Sequence, residues 1–211
     1  MTSRSDGSNL TVRSTLVRSL VVMAAAFTLA SCGVNKIPTA EENAKAKWAD
    51  VQAQYQRRAD LVPNLVATVQ AAGKQEQGTL VKVTEARAKA TSVTLSAEDL
   101  TDPAKVKAYQ DAQSQLSQAL RGFTSIAEAY PDLKANENYV TLMSQLEGSD
   151  NRITVALRDY NAAVQSYNTI IRTFPDMIGA KIIYGAKPMA PFQAATGADK
   201  APEVGKIFNG S

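Results

Sequence analysis

Residues 136–174 read NENYVTLMSQLEGSDNRITVALRDYNAAVQSYNTIIRTF. Tyr139, Leu142, Leu146, Ile153, Leu157, Tyr160, Val164, Tyr167, Ile171 and Phe174 recur at steps of three, four and seven. That spacing lays one apolar stripe along a helix. Asn136 is placed to cap its start. Five heptads at about 1.5 Å per residue make a rod of roughly 50 Å.

The preceding chain has the same grammar. A first segment carries Trp48, Val51, Tyr55, Val62, Leu65 and Val69 on one face. Gly73 and Gly78 flank a polar break. A second, shorter segment carries Leu80, Val83, Ala86 or Arg87, and Ala90, then fades into a Ser/Thr-rich stretch. Asp102 followed by Pro103 is a strong helix start, because proline at the first helical position removes a donor that has no partner anyway. The third stripe runs Val106, Tyr109, Leu116, Leu120, Phe123, Ala127, Tyr130 and stops at Pro131. Single stripes joined by short connections favour antiparallel neighbours. The expected fold is all-α, an elongated antiparallel four-helix bundle over 41–175. A short helix and a flexible tail rich in Ala, Pro, Gly and Lys are expected over 176–211.

Composition agrees and excludes much chemistry. Of 211 residues, 45% are hydrophobic, 20% charged and only 6% aromatic, with 34 alanines. This is a packed, helix-leaning chain rather than a disordered one. There is no histidine, so no histidine base, ligand or pH switch operates. One cysteine, Cys32, excludes an intrachain disulfide and a multi-cysteine metal site. No phosphate-cradling glycine loop is present. Ferritin-like di-iron bundles need Glu-x-x-His pairs, which cannot occur here. No cofactor and no metal are expected.

The N-terminus reads as an export signal. Arg4, Arg13 and Arg18 precede the apolar run Leu20–Ala30, which as a helix is about 16 Å long, half a hydrocarbon core. That is a signal-peptide pattern rather than a good spanning helix. It ends Leu29-Ala30-Ser31-Cys32, which resembles a bacterial lipobox. The resemblance implies diacylglycerol on the Cys32 thiol and cleavage of 1–31, leaving a lipidated tether over 32–40. A plain signal peptide or an uncleaved anchor are the alternatives. Several acyl chains, each contributing about 0.8 kcal/mol per buried CH₂, would hold the chain on a membrane. Losing Arg4, Arg13, Arg18 and Asp6 leaves 20 basic and 19 acidic residues. No basic patch then argues for nucleic acid. Gly33 is not the Asp commonly linked to inner-membrane retention. The outer membrane, facing the periplasm, is the expected address where the envelope has two membranes.

Two stretches break the apolar pattern. In RRADLVPN, Arg58 occupies a slot between Tyr55 and Val62 where an apolar residue belongs. Pro63 removes the helical bond to Ala59, so a kink is expected. Asp60 lies one turn from Asn64 and within reach of Arg57. On the last helix Glu147, Gly148, Ser149, Asp150, Asn151 and Arg152 interrupt the stripe. Arg57, Arg58, Asp60, Pro63, Asn64, Glu147, Asp150, Asn151 and Arg152 therefore form one candidate cluster. Either it recognises a partner or anion, or Arg58 crosses the core to Glu147 or Asp150 and fixes helix register. Tyr160-Asn161 and Tyr167-Asn168 recur seven apart on one face, where their hydroxyls and amides can bond across helices.

Together these motifs resemble the LemA family. The matching pieces are QRRADLVPNLV (56–66), TEARAKA (84–90), AEAYPDLKANENY (127–139), LEGSDNRI (146–153), RDYNAAVQSYNTIIRTFP (158–175) and Pro191-Phe192. They run in the family's order from about Trp48 to Phe192. The resemblance implies an antiparallel helical bundle attached to a bacterial membrane at its N-terminus, with no established activity. Members often keep a spanning N-terminal helix, which the short run and Cys32 would replace here. Asp150 stands where many members carry Glu.

The expected function is a lipid-anchored, non-enzymatic envelope scaffold or protein-interaction module with an envelope protein as partner. The alternative is a binding module for a small anionic or cell-wall-derived ligand at the Arg57–Asn64 kink. A solvent-filled pocket lined by Arg58, Asn64 and Asn151 would favour the ligand. An exposed apolar patch would favour the protein partner.

Overall fold

The computed structural model describes residues 35–72 and 77–193. Every regular element among them is helical. In chain order these are α1 (Lys36–Ala71), α2 (Gln77–Ser92), a 3₁₀ turn (Glu98–Thr101), α3 (Pro103–Ala129), α4 (Pro131–Lys134), α5 (Glu137–Ile170) and α6 (Asp176–Gly179), then a π turn (Ala180–Tyr184). The signal, the lipobox and Cys32 lie outside the described residues.

The caps form where the sequence offers them. The Asp102 carboxylate accepts from the N–H groups of Ala104 and Lys105. The Asn136 side chain accepts from Tyr139 N–H. Pro63 sits inside α1, which continues for 36 residues, or about 54 Å.

Helix α1 packs chiefly on α5, and α2 on α3. Trp48 meets Tyr160, and ten residues further along α1, Arg58 meets Asp150, ten residues back along α5. The two long helices therefore run in opposite directions. The core divides in two. One cluster holds Trp48, Val51, Tyr55, Leu100, Tyr109, Ile153, Tyr160 and Tyr167. The other holds Val62, Leu65, Leu80, Val83, Leu116, Phe123, Tyr139 and Leu146.

Three expectations need correction. The tether is shorter, because α1 begins at Lys36 and buries Ile37. Pro38 is tolerated there because the first turn has no carbonyl for its missing N–H. Phe174 leaves the stripe, since α5 ends at Ile170, and it is 77% exposed. The tail is not free from residue 176. Beyond Gly185, whose φ of 56° suits glycine, residues 186–192 extend back along α5 and bury Met189 and Phe192.

Candidate functional site

Arg58 lies at the junction of the two core clusters and is 2% exposed. Its Nη1 donates to Ser117 Oγ at 2.6 Å and to Asp150 Oδ1 at 3.3 Å. Its Nη2 donates to both Gln113 oxygens, the backbone O at 3.1 Å and Oε1 at 2.9 Å. The guanidinium lies 5.1 Å from the Tyr55 ring centre, within cation–π reach. Gln113 Nε2 in turn donates to the Ala90 carbonyl on α2. One polar belt thus ties α1, α2, α3 and α5 together at a single level.

Pro63 makes its own demand on this belt. It cannot donate to Ala59, whose carbonyl is buried with its residue. Arg87 Nε, on α2, donates to that oxygen at 2.8 Å.

Of the two carboxylates within the α5 interruption, Arg58 reaches Asp150. Glu147, Asn151 and Arg152 are exposed. Arg57 is exposed, and Asp60 accepts from Gln56 Nε2 at 2.7 Å. Asn64 and Pro63 also face solvent. The candidate cluster therefore separates into a buried pair, Arg58 with Asp150, and a scatter of surface residues. Gln113, Ser117 and Arg87 complete the belt and were not singled out by spacing alone. Their signal was a polar residue in, or beside, a vacant slot of an apolar stripe.

A cavity of about 300 Å³ opens beside the belt, with Gln52, Tyr55, Gln56, Thr94, Tyr109 and Gln113 in its wall. Arg58, Asn64 and Asn151 do not line it. Burial pushes the Tyr55 hydroxyl up to about 12, against the pull of Arg58. Burial raises Tyr109 as well. Neither phenol is an ionised base at neutral pH. Among the described residues no group of three or more acidic or cysteine side chains is placed to hold a metal ion.

The paired Tyr-Asn motifs build a second constellation. Asn161 exchanges two hydrogen bonds with the Phe192 backbone, at 2.8 and 2.9 Å. Asn168 does the same with Met189, at 2.8 and 2.9 Å. Tyr160 and Tyr167 donate to the Ala190 and Lys187 carbonyls. Seven helical residues rise about 10.5 Å and three extended ones about 10 Å, so the two repeats match. The motifs bind an extended strap rather than another helix. Phe192 then closes an aromatic cluster with Trp48, Tyr109 and Tyr160.

A model of the LemA family matches residues 47–205. This chain belongs to the LemA family. It is 28% identical over 125 residues to Protein LemA of Metamycoplasma hominis, covering 59% of this chain and 52% of that protein. It is 25% identical over 157 residues to Magnetosome protein MamQ 2 of Paramagnetospirillum magneticum, covering 67% and 58%. Magnetosome protein MamQ 1 of the same organism matches equally. The chain spans little more than half the length of these relatives. In this LemA chain five of the six stretches that carry the resemblance fall on the two constellations, AEAYPDLKANENY excepted: QRRADLVPNLV and LEGSDNRI meet through Arg58 and Asp150, TEARAKA supplies Arg87, and Asn161 of RDYNAAVQSYNTIIRTFP holds Phe192 of Pro191-Phe192. No helix among the described residues is long and apolar enough to cross a membrane.

Proposed function

We propose that this LemA-family protein is a non-enzymatic envelope scaffold, an antiparallel four-helix bundle attached to the membrane through acylated Cys32. Where the envelope has two membranes, the outer one carries it, with the bundle facing the periplasm and meeting an envelope protein through its outer faces. The observation that supports this is the use made of Arg58. Four of its hydrogen bonds go to groups inside the chain. A guanidinium so engaged braces helices and has little left for an anion. Of the two arginines at this stretch Arg58 is buried and only Arg57 faces solvent, and the cavity beside the belt is not lined by Arg58, Asn64 or Asn151, which weighs against the ligand reading.

The test pairs two measurements. Photo-crosslinking from exposed positions on α3 and α5 in intact cells should give a discrete protein adduct that survives when Arg58 is replaced by Met. Inorganic phosphate and a muropeptide should leave the melting temperature unchanged. A saturable rise in melting temperature, absent in Arg58→Met, would replace the scaffold with the ligand-binding reading.

A further inference from the structure

One stretch breaks the surface pattern of the rest. Phe174, Met177, Ile178, Ile182, Ile183 and Tyr184 are all exposed, Phe174 and Ile182 each at 77%. Elsewhere among the described residues, exposed large apolar side chains are the isolated Val81, Val140 and Val155. Only Ala180 of this segment is buried. Isolated apolar residues on a surface are ordinary, whereas a contiguous set marks an interaction site.

The knuckle's position says what it meets. Ala180 packs in the same core cluster as Ile37, the second residue of α1. A methyl placed on Gly179 would lie 3.8 Å from the Ile37 side chain. The apolar segment thus sits beside the start of α1, where the chain leads back to Cys32 and the run Leu20–Ala30. Asn35 lies three positions after Cys32, so the chain between them can span at most about 10 Å. On the membrane-attachment reading, whether acylated or retaining its apolar run, the chain would enter the membrane within about that distance of Asn35, at the start of α1.

Charge and side-chain type agree. Lys36, Arg172, Lys181 and Lys187 are exposed around the patch, against one acid, Asp176, within it. Glu41 and Glu42, a turn further along α1, are already paired with Lys45. A basic rim repels a second copy of itself and attracts anionic headgroups. Aromatic rings such as Phe174 and Tyr184 suit the interface between water and hydrocarbon. An apolar patch could equally serve a protein partner, but its place beside the membrane entry and its basic rim favour lipid.

We infer that the Phe174–Tyr184 knuckle inserts its apolar side chains into the headgroup region of an anionic phospholipid membrane. This rests on the membrane-attachment reading and adds a second point of contact. Two contacts fix the bundle's orientation, where a single tether would let it swing.

Full-length protein reconstituted into vesicles of phosphatidylcholine and phosphatidylglycerol with brominated acyl chains tests this. Ile182→Trp and Val140→Trp each add one fluorophore to buried Trp48, the second at the opposite pole on α5. Both variants should float with the vesicles. The added Ile182→Trp emission should shift to the blue and be mostly quenched, while the Val140→Trp emission is retained. Flotation without quenching at position 182 overturns the knuckle and leaves attachment standing. If such a sample also self-associates with rising concentration, the patch belongs to a second copy instead. Failure to float overturns both the attachment and the inference.

Discussion

Arg87 donates its Nε to the Ala59 carbonyl at 2.8 Å, and Ala59 is the residue whose helical donor Pro63 removes. A side chain on α2 thereby satisfies a backbone group that a proline orphans on α1. Truncating Arg87→Ala should cost about 1–3 kcal/mol, because a buried acceptor loses its partner. Pro63→Ala restores the N–H, should raise the melting temperature, and should make Arg87→Ala milder by about 1 kcal/mol. Thermal melts of the two single variants and the double variant measure that coupling. Strict additivity would dissolve the link between them.

The strap gives a spectroscopic prediction. Asn161 and Asn168 each make two bonds to it, worth about 0.5–1.5 kcal/mol per bond. Replacing both with Ala should release Phe192 from Trp48, whose ring centres are 5.5 Å apart. Trp48 is the only tryptophan, so its emission should shift to the red and become accessible to acrylamide while helical circular dichroism is kept. An unchanged emission would mean that packing of Phe192, not the amide pairs, holds the strap.

Much of this was legible in the sequence, for a physical reason. Each helix buries one stripe, and the stripe shows as spacing. Trp48, Tyr55, Leu116 and Tyr160 all lie buried where the heptads put them. The polar belt was half legible. Arg58 announced itself by occupying an apolar slot, but Gln113 and Arg87 sit in vacancies that alanine or a surface residue could equally fill. Which vacancies align depends on the offset between helices, and periodicity within one helix does not contain it. The strap was illegible for a related reason. Residues 186–192 have no period of their own, and their order comes from the spacing of Asn161 and Asn168 on another element.

Gly148 offers a stabilising change. It lies in the interior of α5, where glycine costs about 1 kcal/mol relative to alanine. A methyl there would meet only Arg152 Nη2, at an ordinary 3.5 Å. Gly148→Ala should therefore raise stability by about 1 kcal/mol in denaturant titration. A loss instead would show that α5 needs glycine's freedom at this interruption.

Tyrosines set the pH response. Burial pushes Tyr55 and Tyr139 up to about 12 and raises Tyr109, Tyr160 and Tyr167. Unfolded tyrosine ionises near about 10. Above that pH the unfolded chain has released protons that the folded one retains, so stability falls as pH rises. The stabilisation is fully present below about 10 and is lost progressively toward 12. With no histidine, no such transition is expected between about 6 and 8. Melting temperature against pH should be flat there and drop in the alkaline range, with the drop reduced in Tyr55→Phe. A step near pH 6.5 would contradict this account.

Arg58 and Asp150 are unequal partners, and the inequality is measurable. The arginine side chain is 3% exposed, whereas that of Asp150 is 53% exposed. Removing the guanidinium leaves a core cavity and strands Gln113 Oε1, so Arg58→Ala should cost about 3 kcal/mol. Arg58→Met refills the volume but still strands that oxygen, at about 1–2 kcal/mol. Asp150→Ala should cost no more than about 1–2 kcal/mol, because water can replace a half-exposed carboxylate and three neutral acceptor contacts remain. Chemical denaturation of the three variants ranks them. If Asp150→Ala equals Arg58→Ala, the ion pair rather than the neutral belt holds the helices. If Arg58→Ala melts like the parent yet loses its crosslinked adduct in cells, the guanidinium recognises a partner and the bracing role falls.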